Sequence, residues 1–340
     1  MPLKRIPVTL LATVGAVASL CVVGVSDADA APGGVAGAVV TDGPARAWDV
    51  RAWITGTDAT PVRSAGAVRT DRTGRFTLRP TSQPGADEAF YVTATPAGQS
   101  SSFTTLAAIS PTVPSRLTVN ELTTVATGYG MAQFVDATRI GGKAPGVRNA
   151  ASMAGNLADP TSGRIGSTLA SAPNGGQTST QAAFISLSNA LAACTTSPEG
   201  CSALRSATTT PLSGRPSNMV EAMANMAKSP EHNPAGLFGV TLRRPARAGG
   251  LPLPPAAWTL ALRFDGGGGL LAGPGNFAIG RRRGHLGQRE LSVQRRPANP
   301  GVRQQISLPL RTERQTRRRT ADHRRRPQRR RVRHHPGPFR

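Results

Sequence analysis

The chain has 340 residues, 41 Lys+Arg against 18 Asp+Glu, a formal net charge of +23 and only 4% aromatic residues. Positions 281–340 alone hold 20 of the basic residues and 3 of the acidic ones, leaving 21 and 15 for everything before. The basic balance therefore describes the tail and not the fold, and a core poor in aromatics must be built from Ala, Val, Leu and Met.

The N-terminus reads as an export signal. Lys4 and Arg5 precede an uncharged apolar run from Ile6 to Val25, and Ala28-Asp29-Ala30 offers small residues for cleavage after Ala30. Residues 1–30 are then a signal peptide, and the mature protein is secreted. An uncleaved N-terminal membrane anchor is the alternative, because the run is long. Leu20 before Cys21 argues against a lipoprotein. Removing residues 1–30 leaves Cys194 and Cys201, separated by six intervening residues, as a disulfide candidate in an oxidising compartment; two separate buried thiols are the alternative. With no histidine nearby, two cysteines do not fill a four-ligand zinc site.

The 249 residues of 31–279 suggest two domains. The first spans 33–108 and reads as β-rich. Val35 to Thr41 is β-prone and Asp42-Gly43-Pro44 is a turn signal. Trp48, Val50, Ala52 and Ile54 alternate with Asp49, Arg51 and Trp53, which predicts a half-buried strand. Thr70 to Gly74 suits a hairpin loop; Phe76 and Leu78 share one face of the next strand, and Phe90, Val92 and Ala94 one face of another. Several short strands at this spacing predict an antiparallel sandwich.

Gly37-x-Val39, Thr70-Asp71-x-x-Gly74-x-Phe76 and Tyr91-Val92-Thr93-Ala94 together resemble the carboxypeptidase regulatory-like (prealbumin-like) domain. That resemblance implies a small extracellular β-sandwich serving spacing, stability or adhesion rather than catalysis. An unrelated immunoglobulin-like sandwich fits the same Gly and Phe positions, which also follow from hairpin physics.

A helical module follows at 115–240. Thr118-Val119-Asn120-Glu121 reads as a capping box opening a helix through Leu122, Val125, Tyr129 and Ala132. A second helix is predicted from Gly146 to Ala158, ended by Asp159-Pro160. Thr178-Ser179-Thr180-Gln181 offers another capping box before Phe184, Leu187, Leu191 and Cys194, with a short helix carrying Cys201 and Leu204 packed back on it. Met219, Met223 and Met226 form a stripe that reads as core filler, an adaptable binding face being the alternative. Residues 241–257 read as a Pro/Gly linker. Trp258, Leu260, Leu262 and Phe264 alternate again, so 258–279 is predicted as strands.

The order of export signal, sandwich, Asn120-Glu121-Leu122-Thr123-Thr124-Val125-Ala126 helix, cysteine pair, Trp258-Thr259-Leu260-Ala261-Leu262 and Pro274-Gly275-Asn276-Phe277-Ala278-Ile279 resembles the N-terminal half of secreted bacterial proteins. Their other half is an NHL or gluconolactonase-like β-propeller. The resemblance covers residues 1–279 and makes 258–279 the start of a propeller. No such repeat follows: residues 280–340 have no sustained alternation and one Phe, and Arg and Pro dominate. That bias matches a GC-rich gene read in a shifted frame, so a frameshift near residue 280 is the expectation. Translating the other two frames tests it, since one should yield repeated strands. The alternative is a selected polyanion-binding arm directed at cell-wall polymers, anionic membranes or nucleic acid. Without interleaved aromatics no specific nucleic-acid recognition is expected. On composition this basic tail is disordered.

No catalytic, cofactor or metal constellation emerges. There is no His-Glu-x-x-His or Gly-x-Ser-x-Gly, and four of the five histidines lie in the tail. Gly273 to Ala278 matches a relaxed dinucleotide fingerprint without a following helix or acid, and Gly266 to Gly269 lacks the Lys-Ser/Thr of a phosphate loop. His232 and Glu231 read as surface. The fold class expected is α+β and multidomain: an N-terminal antiparallel β-sandwich, an α-helical module and a disordered Arg-rich tail. The function expected is that of a secreted or cell-wall-associated non-enzymatic protein, a truncated relative of a propeller protein. The alternatives are an inactive remnant of a propeller lyase or lactonase and a polyanion-binding protein acting through the tail.

Overall fold

A computed structural model describes residues 34–99, 102–137 and 139–264. The expected signal segment 1–30, the glycine-rich stretch and Gly273 to Ala278, the rest of the expected strands beyond Phe264 and the basic tail 280–340 lie outside the described residues.

Seven strands build two sheets: β1 (Val35–Val39), β2 (Trp48–Ile54), β3 (Arg63–Arg69), β4 (Arg75–Leu78), β5 (Phe90–Pro96), β6 (Leu106–Ser110) and β7 (Arg116–Val119). One sheet has the order β4-β1-β7, the other β3-β2-β5-β6. All pairings are antiparallel except β1 with β7, where Val39 faces Val119. The alternation in β2 behaves as its pattern requires, with Trp48, Val50, Ala52 and Ile54 all buried. The segment Thr70 to Gly74 is not a hairpin loop. It carries the chain from β3 in one sheet to β4 in the other, because Arg75–Leu78 pairs with β1 and not with β3. Asp71 Oδ1 accepts from the Thr73 and Arg75 amides at 2.8 and 2.9 Å, and Gly74 has φ +82°. Gly37 lies opposite Phe76, and a Cβ there would overlap the Phe76 ring. The bidentate pair Arg63–Glu88, at 2.6 and 2.7 Å, ties β3 to the segment leading into β5.

Tyr91 and Thr93 alternate out of phase with the inward residues of β5, yet both are buried. Trp53 stacks on Tyr91, ring centres 6.4 Å apart, and its indole donates to the Thr93 hydroxyl at 3.0 Å. α1 (Glu121–Gly130) and α2 (Gly146–Leu157) pack on β6, and α4 (Thr180–Thr196) and α6 (Met219–Lys228) pack on α1. The remaining helices are α3 (Ser167–Ala170), α5 (Pro198–Ala207) and α7 (Pro234–Thr241). Met219, Met223 and Met226 are fully buried, so the stripe is core. Among the described residues, sheets and helices share one hydrophobic core.

Two caps differ from expectation. Thr118 belongs to β7, whose pairing with β1 continues to Val119, so the cap of α1 is Asn120. Its Oδ1 accepts from the Thr123 amide at 2.9 Å and the Thr123 hydroxyl accepts from the Asn120 amide at 2.9 Å. Glu121 is therefore the first helical residue and not a capping partner. At α4, Ser179 makes no side-chain cap, and the Thr180 hydroxyl donates to Ala261 O at 2.8 Å.

That last bond belongs to a strap. Residues 243–264 run over the helices as irregular backbone held by side chains. Asn189 exchanges two bonds of 2.9 Å with Arg247, and the Ser186 hydroxyl accepts from the Leu251 amide at 2.8 Å. Trp258 is fully buried; its carbonyl accepts from Tyr129 Oη at 2.9 Å and its indole donates to Pro234 O at 3.2 Å. Asn174 brackets Arg263 from both sides, at 2.7 and 2.9 Å. The expected strand at 258–264 is thus corrected. Its alternation is real, but no sheet edge lies alongside, and side chains of α1, α4 and the Asn174 loop take the place of a partner strand.

Candidate functional site

Ser197 alone separates α4 from α5. Its hydroxyl accepts from the Gly200 amide at 3.0 Å, and Pro198 occupies the first turn, where no amide is needed. A Cβ on Gly200 would overlap Ala193 O, so glycine lets the first turn of α5 lie against the end of α4. The two helices are then close enough for Cys194 and Cys201 to join as a disulfide. The Thr104 hydroxyl stands 3.5 Å from Cys201 Sγ.

Beside this joint opens a cleft of about 710 Å³. Three arginines line it: Arg46 from the β1–β2 loop, Arg205 from α5 and Arg215 from the segment before α6. Hydroxyls of Thr104, Ser202, Ser206 and Thr209 share the wall, and no Asp or Glu is among the lining residues. The Arg205 guanidinium stands over Phe103, its carbon 4.3 Å from the ring centre. Its Nε is buried without a hydrogen-bond partner among the described residues. Burial and then the neighbouring Arg215 charge both push the Arg205 pKa down. Arg46 is better anchored: Nη2 donates to Thr195 O at 3.3 Å, and the guanidinium sits 5.8 Å from the Trp48 ring centre.

A second charged cluster lies behind the Thr195 wall. Glu121 is fully buried; its Oε1 accepts from the Thr195 hydroxyl at 3.0 Å and from the Asp42 amide at 3.2 Å. Arg247 reaches Glu121 Oε2 at 3.2 Å and Asp42 Oδ2 at 2.6 Å. Burial pushes the Glu121 pKa up, Arg247 pulls it back and the Asp42 carboxylate adds to the push. This cluster is closed on itself. It fixes the β1–β2 loop, and through that loop the position of Arg46.

The disulfide candidates Cys194 and Cys201 thus meet at the edge of the cleft. His232 is half-buried and Glu231 exposed, apart from any site. Among the described residues no group of His, Cys, Asp and Glu is placed to hold a metal ion, and no helix is long and apolar enough to cross a membrane. Sequence reasoning missed Arg46, Arg205, Arg215, Glu121 and Arg247. One signal was present: Arg205 lies one helical turn after Cys201, on the same face. Comparison with protein-family models, curated proteins and solved structures finds no match to this chain.

Proposed function

We propose that the chain is an exported, cell-surface-associated, non-enzymatic binding protein, and that the cleft beside the disulfide is its binding site. One observation carries this reading: three guanidiniums and a set of hydroxyls line one cleft, and among the described residues no carboxylate lines it to neutralise them. Paired arginines build structure; unpaired ones facing a cavity of ligand size recruit an anion. The disulfide supports an oxidising compartment. The two-sheet sandwich, the Asp71–Gly74 crossing and the Gly37–Phe76 contact support the kinship with carboxypeptidase regulatory-like modules.

Fractionating cells that express the full chain tests the reading. The expected product is a surface or medium form that begins at Ala31 and has Cys194 and Cys201 oxidised. A product that stays in the cytoplasm with both thiols reduced overturns it.

A further inference from the structure

The ligand class can be taken further, on the reading of the cleft as a binding site. We infer that the cleft binds a phosphorylated sugar or polyol, the phosphoryl group lodging between Arg205 and Arg215 and the hydroxyl-bearing part running along the α4–α5 wall. The Phe103 ring holds the Arg205 guanidinium in place, 4.3 Å from its centre, before any ligand arrives. The buried Nε then lacks an acceptor that the described residues do not supply. The adjoining Arg215 is exposed and has the same sign. Two like charges, with no carboxylate in the lining among the described residues, are stabilised by one shared anion.

The number of charges separates the candidate anions. A carboxylate brings one charge and two oxygens, which match a single fork. A phosphate monoester brings close to two charges and three terminal oxygens, enough for both forks and a hydroxyl. Arg46, on the same cleft, adds a third cation. The cavity of about 710 Å³ is far larger than a phosphate and falls in the range of small-molecule sites. The space left is faced by Thr104, Ser202, Ser206 and Thr209, whose hydroxyls both donate and accept. That surface matches ligand hydroxyls rather than an apolar chain.

Titration calorimetry on the full chain, with glucose 6-phosphate, glucose, glucuronate and inorganic phosphate as probes, tests the inference. Glucose 6-phosphate should bind one-to-one and at least tenfold tighter than each of the other three. Arg215→Gln and Arg205→Lys should each weaken it at least tenfold with melting temperatures unchanged. The basic tail is common to all these proteins, so the loss on substitution isolates the cleft. Glucuronate binding as tightly as glucose 6-phosphate would overturn the phosphoryl assignment while leaving the cleft a binding site. Inorganic phosphate binding equally well would overturn the sugar or polyol part. Unchanged affinity in both variants places the binding elsewhere and overturns the inference. No binding of any probe removes both it and the reading on which it rests.

Discussion

Arg247 and Arg205 are both partly covered guanidiniums on the helical side of the molecule, and they are treated oppositely. Arg247 meets Asp42 at 2.6 Å and Glu121 at 3.2 Å, and its backbone is bracketed by Asn189. Arg205 meets an aromatic face, a second arginine and an open cleft. The first arrangement is complete without a ligand and holds loop, helix and strap together. The second is complete only with an anion. Thr195 stands between them, its hydroxyl directed to Glu121 and its carbonyl to Arg46. The lesson is that a charge's role follows from whether the chain supplies its counter-charge, not from its burial.

The largest effect should come from Arg247→Met, which leaves Glu121 buried without its cation and should destabilise by about 3 kcal/mol in urea unfolding. Combining it with Glu121→Leu should recover part of that loss, because the uncompensated carboxylate is gone. A double variant less stable than the single would break the comparison on the Arg247 side.

Next comes the disulfide. Replacing Cys194 and Cys201 by alanine should cost about 2.5 kcal/mol, as expected for so short a closed loop. Unfolding with and without reductant reads this, and an indifferent protein would mean that packing alone holds α5 against α4.

A third effect is on acid stability. Arg63 hydrogen bonds hold the Glu88 carboxyl at about 2, below an ordinary 4.5, so the folded state favours its ionised form. That stabilisation is complete above pH 4.5 and is lost as the pH falls from 4.5 toward 2. With the Arg63 guanidinium partly in water, about 1–2 kcal/mol is expected. Glu88→Gln should flatten the unfolding profile in that window. Glu121, whose pKa is raised by burial, acts with the opposite sign: its contribution favours the folded state at low pH and diminishes as it ionises. Glu121→Gln should therefore steepen the acid loss. A profile unchanged in the Glu88 variant would assign the acid sensitivity to other groups.

The smallest effect should be at the cleft. Arg215→Gln should change stability by less than about 0.5 kcal/mol. A loss above 1 kcal/mol would make Arg215 a structural residue and erase the contrast with Arg247.

Local pattern carried much of the fold. The alternation in Trp48–Ile54, the Phe76/Leu78 face and the Met219/Met223/Met226 stripe all placed their residues correctly. β3 was missed, since Arg63–Arg69 has mostly small or charged side chains and one buried residue, Ala65. β6 was missed because both faces are covered and its residues do not alternate. Strand pairing moved the α1 cap from Thr118 to Asn120, and α4 starts at Thr180 behind Ser179, which makes no side-chain cap, in place of the expected box led by Thr178.

By itself the sequence determined the elements whose periodicity is local, the turn chemistry at Asp71–Gly74 and the spacing that lets Cys194 meet Cys201. Only the tertiary structure decided that Glu121 faces Arg247 across 126 residues, that Trp258–Phe264 lies on helices instead of in a sheet, and that Arg46, Arg205 and Arg215 share one cleft. The physical reason is range: periodicity and capping act within a few residues, whereas compensation of charge depends on which distant segments packing brings together.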